Sequence, residues 1–453
     1  MIFNGRYVPK PLAGRDRATV VGTFDGRSAG GGGFGAPAPA DRIRGWPRSG
    51  ISRQNAPRAF HLHAALRFRG RPDGFAGLNA RWFDAAVGRL REFRALLTGP
   101  GAPPPACPRP RGVGASSSSA CARPARIASA LLLLASVAAA CAPVVMSAGL
   151  PTMETALAND ALVMADGARL PLRVWLPEGK PSAVLLGLHG FGDHSGNAFD
   201  LPAPLLNAQG IALYAYDQRG FGAAPNRGYW AGTPTLVADA VAAARLVRAR
   251  HPGVPIYMLG ESMGVAELLV AATSPDPPPV DGYVLLAPAV RGRASMGAFA
   301  GRFLTTMSWV MPAVAFYGSS PGFAPTDNEQ AMERWGRDPL TLKQFRVDML
   351  RGLVDLMDDA IAAAPRFRAP ALILYGAKDK LVAGAPVRRL LRSLPDEAPH
   401  VVAYYPEGHH LLLRDLNRAV VAEDIASWLL RPNAGLPSGA DAAAEKWLEA
   451  GAR

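Results

Sequence analysis

Cysteine is scarce in this sequence. The 453 residues include only Cys107, Cys121 and Cys141, and none follows Cys141. A disulfide framework and a cysteine-based metal site are therefore excluded from the rest of the chain. The 8 histidines also lack the H-E-x-x-H spacing of a zinc-binding helix. We expect no metal-dependent mechanism and no cofactor.

Acidic residues are rare towards the N-terminus. Residues 1–140 hold 21 Lys+Arg against 6 Asp+Glu, so the net charge of +13 comes from this arm and the remainder is close to neutral. Glycine, alanine–proline and serine runs fill residues 1–120, a composition that cannot bury a core. We expect this stretch to be disordered or an over-extended gene start. A basic arm can bind nucleic acid, but these arginines follow no motif or helical pattern, so we expect no such partner.

Residues 121–141 have the pattern of a secretion signal. Two arginines precede the apolar run 127–140, and small residues then lead to Cys141. The ending is similar to a bacterial lipoprotein cleavage site, which would leave Cys141 lipidated, although Ala138 stands where leucine is commoner. An uncleaved anchor is the alternative, because residues 127–149 carry no charge and are long enough to span a bilayer.

Both alternatives predict a protein tethered at the bacterial cell envelope, either as a membrane-anchored lipoprotein or in the periplasm. If the upstream residues mask the signal, the protein would stay in the cytoplasm. The sequence leaves the oligomeric state open.

The most informative motif is Gly260-Glu-Ser-Met-Gly264, which follows an apolar run and precedes a helical pattern. It matches the G-x-S-x-G nucleophile elbow in its context of strand, sharp turn and helix. Glycine is needed on both sides because the turn leaves no room for side chains. Ser262 is therefore the candidate nucleophile, and the free N–H groups of the following helix face the reacting centre.

A glycine-rich loop supplies the second half of an oxyanion hole. His189 and Gly190 end an apolar run, at the place where α/β-hydrolases position a backbone N–H donor. We expect the amides of Phe191 and Met263 to bind the oxyanion, and one such donor is worth about 2.7–4 kcal/mol of barrier. His189 and Gly190 are expected to shape the loop, with no proton transfer by His189.

The acid and the base follow two later apolar runs. Asp379 comes directly after the run 371–376, and His410 lies in the loop after the run 401–405. The chain order of serine, aspartate and histidine is that of α/β-hydrolases. In this mechanism His410 takes the serine proton, and Asp379 orients the ring and stabilises the imidazolium. Asp415 and Asp358 are alternatives for the acid, and spacing cannot separate His410 from His409.

Five blocks of sequence resemble the monoacylglycerol lipase and lysophospholipase family of serine α/β-hydrolases. They are His-Gly-Phe-Gly-Asp-His-Ser-Gly (189–196), Tyr-Asp-Gln-Arg-Gly-Phe-Gly (216–222), Gly-Glu-Ser-Met-Gly (260–264), Tyr-Gly-Ala-Lys-Asp (375–379) and Glu-Gly-His-His (407–410). Matching the last block to the family's Gly-x-His motif puts the base on His410. Val265 stands where many members have a second glycine. The serine nucleophile argues against epoxide hydrolases and haloalkane dehalogenases, which have aspartate there.

Strand-like and helix-like segments alternate from residue 161 to residue 290, beginning with a β-hairpin around the turn Asp166-Gly167. This alternation predicts an α/β-hydrolase fold with a mostly parallel central sheet flanked by helices. We expect the core to comprise residues 142–290 and 367–432, and residues 433–453 to form a peripheral tail. Asp217 and Arg219 are expected to brace the loop beside the site.

Between residues 291 and 366 the alternation stops, which is where the resembled family inserts its helical cap. The apolar segment 303–317 contains Phe303, Met307 and Trp309. These residues would line an acyl-chain tunnel, touch a lipid surface, or form an ordinary cap core. Methionine and aromatic side chains suit variable apolar ligands.

Together these features predict a serine hydrolase that cleaves carboxylic esters of single-chain acyl lipids, such as monoacylglycerols or lysophospholipids, through an acyl-enzyme. The alternatives are an esterase or thioesterase for other substrates, a small-peptide aminopeptidase, and a hydrolase-like binding module without turnover.

Overall fold

The computed structural model describes residues 142–318 and 324–451. Residues 1–120, the signal-like segment and Cys141 lie outside these ranges, so the predictions made for them stay predictions. Among the described residues, no helix has the length and apolar character needed to cross a membrane.

The described residues form one large sheet and one small sheet. The strands are β1 (Ala156–Leu157), β2 (Ala161–Val163), β3 (Arg169–Trp175), β4 (Ala183–Leu188), β5 (Ile211–Tyr216), β6 (Ile256–Glu261), β7 (Gly282–Leu286), β8 (Ala315–Tyr317), β9 (Gln344–Arg346), β10 (Ala371–Gly376) and β11 (His400–Tyr405).

The large sheet has the order β1-β2-β3-β5-β4-β6-β7-β10-β11. Every pair from β5 to β11 is parallel, whereas β1, β2 and β3 are antiparallel to their neighbours. The predicted opening hairpin is the β2–β3 pair. Strands β4, β5, β7 and β10 are buried along their whole length, as expected for parallel strands covered on both faces. The predicted fold class is confirmed.

Helices cover both faces of the sheet. They are α1 (Ser195–Phe199), α2 (Ala203–Ala208), α3 (Thr233–Arg250), α4 (Met263–Ala272), α5 (Arg293–Met296), α6 (Ala298–Val310), α7 (Glu329–Arg337), α8 (Val347–Ala363), α9 (Gly384–Ser393), α10 (Arg418–Leu430) and α11 (Ala440–Ala450). Residues of α3, α4 and α9 belong to one buried apolar cluster, and those of α1, α2 and α10 to a second. The parallel strands therefore lie between two cores.

The insertion between β7 and β10 forms the cap. It contains α5 to α8, as expected for a helical cap, and also the antiparallel β8–β9 pair, which the sequence analysis does not predict. Strands of three residues carry too short a pattern to be recognised in a sequence.

The C-terminal segment, expected to be peripheral, packs against the sheet. Trp447 of α11 stacks on Tyr404 of β11, with ring centroids 5.0 Å apart and planes 12° apart, and lies 5.2 Å from the ring of Tyr375 in β10. The helix thereby covers aromatic side chains of the last two strands.

Candidate active site

Ser262 occupies the sharp turn between β6 and α4. Its backbone has φ 54° and ψ −108°, a conformation that costs a non-glycine residue free energy and is typical of strained functional turns. A Cβ on Gly260 would lie 2.5 Å from the carbonyl carbon of Gly264, and one on Gly264 would lie 2.5 Å from the backbone oxygen of Leu188. Both glycines of the motif are therefore required by close backbone approach.

His410 and Asp379 form a buried pair beside Ser262. The Nδ1 atom of His410 lies 2.7 Å from Oδ2 of Asp379. Since a carboxylate only accepts hydrogen bonds, Nδ1 carries the proton and Nε2 keeps its lone pair for the serine. The other oxygen of Asp379 accepts the N–H groups of Leu381 and Val382 at 2.8 and 2.9 Å, which fixes the carboxylate. Ser262 and His410 line the same cavity.

The structure shows different partners for the alternative base and the alternative acids. The Nδ1 atom of His409 lies 3.3 Å from Oδ2 of Asp415, so these two residues pair with each other. Asp358 accepts hydrogen bonds from the backbone and guanidinium of Arg293 at 2.8 and 2.6 Å. The geometry thus joins Asp379 to His410.

In the described residues, the amides of Phe191 and Met263, which we expect to bind the oxyanion, have no backbone acceptor. Met263 is the first residue of α4, where an N–H group has no partner inside the helix. Within the described residues, the N–H of Phe191 has no backbone acceptor either. Gly190 brings the loop close to the nucleophile, since a Cβ built on it would lie 3.5 Å from Cβ of Ser262.

The cap holds this oxyanion loop in place. The N–H of Leu342 donates to the carbonyl of Gly192 at 2.8 Å, and the Nε2 atom of His194 lies 2.9 Å from a carboxylate oxygen of Asp338. Phe191 packs against Phe345 of β9, with ring centroids 4.8 Å apart. The position of the Phe191 amide therefore depends on the position of the cap.

His189 is buried below the loop and acts as a structural residue. Its Nε2 accepts the N–H of Gln218 at 3.1 Å, so Nδ1 is the atom that donates to the carbonyl of Gly190 at 2.9 Å. Burial lowers the pKa of this imidazole, which keeps it neutral. Both hydrogen bonds are thus used to shape the turn.

A buried ionic cluster in the wall of the site was missed by the sequence analysis. The guanidinium of Arg414 donates to Asp193 at 2.5 Å and to Glu261. Burial disfavours the charge on Asp193, but the Arg414 cation still holds its pKa below the usual value. Burial outweighs the same cation at Glu261 and raises the pKa of that carboxyl. Asp193, Glu261 and Arg414 each lie in or near a functional motif, but no sequence pattern predicts that the three residues meet.

Asp217 and Arg219 have bracing positions. Asp217 accepts hydrogen bonds from Ser195 and from the N–H of Ala223, the latter at 2.9 Å. The guanidinium of Arg219 donates hydrogen bonds to the carboxylates of Asp166 and Asp239, and the shortest N–O distance is 2.6 Å in both pairs. These contacts join the opening hairpin, the loop after β5 and α3.

Two cavities lie side by side, the first beneath the cap and the second within it. The first, of about 460 Å³, contains Ser262 and His410 and is otherwise lined mainly by apolar side chains of the cap and core. The second, of about 510 Å³, lies between α6 and α8 and is lined by apolar residues only. Met296, Leu353 and Val354 line both, so they form a shared wall.

The three cap residues singled out in the sequence have different positions. Phe303 and Met307 line the second cavity and not the first. Trp309 lines neither, and its ring lies 5.5 Å from the guanidinium of Arg351. Its solvent-exposed fraction of 52 % places it on the outer surface of the cap. The expectation that Trp309 contacts substrate is therefore not supported by its position.

Comparison with known proteins extends these observations. The sequence model of the Hydrolase_4 family, described as serine aminopeptidase, S33, matches residues 179–417, which include every residue of the site. The chain belongs to this family. The match confirms the predicted resemblance to serine α/β-hydrolases.

Several curated relatives of this chain are named monoglyceride or monoacylglycerol lipase. Monoglyceride lipase of Mus musculus is 28% identical over 277 residues, covering 59% of this chain and 89% of the relative. Monoacylglycerol lipase of Mycolicibacterium smegmatis is 26% identical over 276 residues, covering 58% of this chain and 94% of the relative.

A solved structure shares the fold of this hydrolase. A soluble variant of monoglyceride lipase from Saccharomyces cerevisiae, in complex with a substrate analog, has a TM-score of 0.51 at 18% identity. The similarity covers 63% of this chain and 96% of the yeast chain.

Proposed function

We propose that this protein is a serine carboxylic ester hydrolase that cleaves single-chain acyl esters of the monoacylglycerol type. Ser262 attacks the ester carbonyl while His410 takes its proton, and Asp379 stabilises the imidazolium. The amides of Phe191 and Met263 bind the oxyanion. His410 returns the proton to the leaving alcohol, and water then hydrolyses the acyl-enzyme. The arrangement of these five residues carries the proposal, with the names of the curated relatives in support.

The apolar cavities favour an acyl chain as the substrate. The catalytic cavity has the size of a typical small-molecule site, and most of its lining consists of side chains such as Met332, Leu353 and Met357. An extended alkyl group would bury its surface there. The second cavity offers room beyond Met296 and Leu353 for the end of a longer chain.

The charges in the cavity argue against an aminopeptidase. Such an enzyme needs a free carboxylate to bind the α-amino group of its substrate. In the described residues that line the catalytic cavity, the acidic side chains are Asp193 and Glu261, and both already bond to Arg414. The aminopeptidase in the family description therefore remains the second candidate.

The decisive test uses the full-length chain with p-nitrophenyl esters of graded acyl length, a monoacylglycerol, and an aminoacyl p-nitroanilide. We expect a stoichiometric burst of nitrophenolate and a preference for medium or long chains. A fluorophosphonate probe should add its mass to the peptide that contains Ser262.

Ser262→Ala should remove the burst and the labelling, whereas Ser393→Ala, at the end of α9 and outside the lining of the catalytic cavity, should retain both. Turnover of the anilide alone would replace the esterase by the aminopeptidase. No turnover and no labelling in the wild type would leave a binding module.

We also propose that the protein acts at the bacterial cell envelope, through lipidation of Cys141 or an uncleaved apolar anchor. The exposed apolar residues of the cap support a role near a membrane surface, since Phe299 is 84% and Tyr317 72% exposed. Mass spectrometry of the N-terminus from membrane fractions tests this, with Cys141→Ser as the matched variant. A mature protein that begins upstream and fractionates with the cytosol would refute it.

A further inference from the structure

Three potential metal ligands converge outside the catalytic triad. Asp327, His409 and Asp415 each offer a ligand atom, and these atoms all lie within 4.8 Å of one another. The Nδ1 atom of His409 is 3.3 Å from Oδ2 of Asp415. Asp327 comes from the cap segment that precedes α7, and the other two come from the loop that carries His410.

Asp415 is the deepest of the three and is incompletely satisfied. Its side chain is 4% exposed. Oδ2 accepts the N–H of His409 at 2.8 Å, but Oδ1 is buried and has no hydrogen-bond partner among the described residues. Leaving a buried carboxylate oxygen unpaired is unfavourable. A cation in contact with this oxygen would remove that cost.

The donor set indicates the class of cation. One imidazole nitrogen with two carboxylates suits zinc and similar transition metals, whereas calcium and magnesium prefer six or more oxygen ligands. Ligand bonds of about 2.0–2.1 Å in a tetrahedral zinc site place neighbouring ligand atoms roughly 3.3 Å apart. Nδ1 of His409 and Oδ2 of Asp415 already have this separation, and the unpaired Oδ1 is the second oxygen of the same carboxylate. Asp327 is exposed, and its Oδ1 accepts the N–H of Leu416 at 2.8 Å, which leaves its other oxygen for a cation.

We propose that Asp327, His409 and Asp415 bind a divalent transition metal cation of the zinc type, with water completing its coordination. The site has a structural role, because none of its ligands belongs to the triad. Hydrogen bonds already tie the same two segments together. The N–H of Leu411 donates to the carbonyl of Pro325 at 2.9 Å, and the N–H of Leu416 donates to Asp327 at 2.8 Å. A bound cation would fasten the cap to the loop of the catalytic histidine.

The experiment titrates Zn²⁺ into the full-length, tag-free chain after removal of metals with a chelator. Calorimetry should show a site that saturates at one equivalent, and the midpoint of thermal unfolding should rise, because a ligand that binds the folded state stabilises it. Asp327→Asn and His409→Asn should each weaken this binding at least tenfold and remove most of the thermal shift. Asp415 is left intact because it also accepts a backbone N–H.

Matched controls are Asp396→Asn, an exposed aspartate, and His400→Asn, a half-buried histidine. Both should bind Zn²⁺ like the wild type. The proposal is overturned if no Zn²⁺ binds, if the affinity is equal in the wild type and the two ligand variants, or if only Ca²⁺ binds. The readout is metal binding, so the result is independent of the esterase assay.

Discussion

Removal of Arg414 should strongly destabilise the protein. Its guanidinium is buried between Asp193 and Glu261, so Arg414→Met fills a similar volume but leaves two buried carboxylates without a cation. Breaking a buried ion pair from one side costs about 3–5 kcal/mol. We expect a loss of this size at pH 8 in urea denaturation followed by tryptophan fluorescence. Arg334→Met removes the exposed pair with Asp200 and should cost about 0–1 kcal/mol.

The stability lost on replacing Arg414 by Met should become smaller as the pH falls. Without Arg414, both carboxyls would have folded-state pKa values above their unfolded values, so the variant would lose stability as pH rises. In the wild type, Arg414 lowers the pKa of Asp193, and this part of its stability is lost as pH falls. The wild-type contribution is lost only below the ordinary aspartate pKa of 3.8, so the raised pKa values in the variant are what make the difference between variant and wild type smaller at pH 5 than at pH 8.

A charge-neutral triple variant completes the test. Arg414→Met combined with Asp193→Asn and Glu261→Gln removes every charge of the cluster and should recover most of the lost stability. The reasoning is refuted if Arg414→Met costs no more than Arg334→Met at pH 8. A loss that is equal at both pH values would also refute it.

Three further predictions concern other elements. Gly264→Ala forces a Cβ to within 2.5 Å of a backbone oxygen of β4, so it should lower the free energy of unfolding by about 1–3 kcal/mol and remove most of the activity. Gly336→Ala places its Cβ in open space and should be neutral or stabilising. Equal melting temperatures of the two variants would contradict this reasoning. Asp379→Asn should lower kcat on the order of 10⁴-fold, and His409→Ala less than tenfold. Steady-state ester kinetics decide, and the reverse ranking would assign the base to His409. Trp447→Ala should lower stability by about 2–3 kcal/mol without changing kcat, which denaturation and kinetics check together.

The nucleophile was predictable because its geometry is local. Two glycines around a serine, between a strand pattern and a helix pattern, specify a turn that few other sequences can form. Asp379 was predictable for a related reason, since it follows a buried strand directly. The choice between His409 and His410 required the three-dimensional structure. His410 pairs with Asp379, 31 residues away in the sequence, and His409 pairs with Asp415, 6 residues away.

The features that sequence reasoning missed depend on long-range packing. Arg414 reaches Glu261 across 153 positions, and no periodicity encodes that contact. The β8–β9 pair is similarly hidden, because each strand has three residues, with all of β8 and the first residue of β9 exposed. The tail helix looked peripheral because its alanines carry a weak apolar pattern, whereas in the structure Trp447 stacks on Tyr404 and packs against Tyr375, which belong to the last two strands.

The strained backbone of Ser262 has a consequence for the evolution of this chain. A glycine at this position would adopt φ 54° freely, whereas serine holds it at a cost of about 1–3 kcal/mol. Ser262→Gly should therefore yield a more stable but inactive protein. Selection for folding alone would favour glycine at this position, and only the chemistry of the hydroxyl group favours serine.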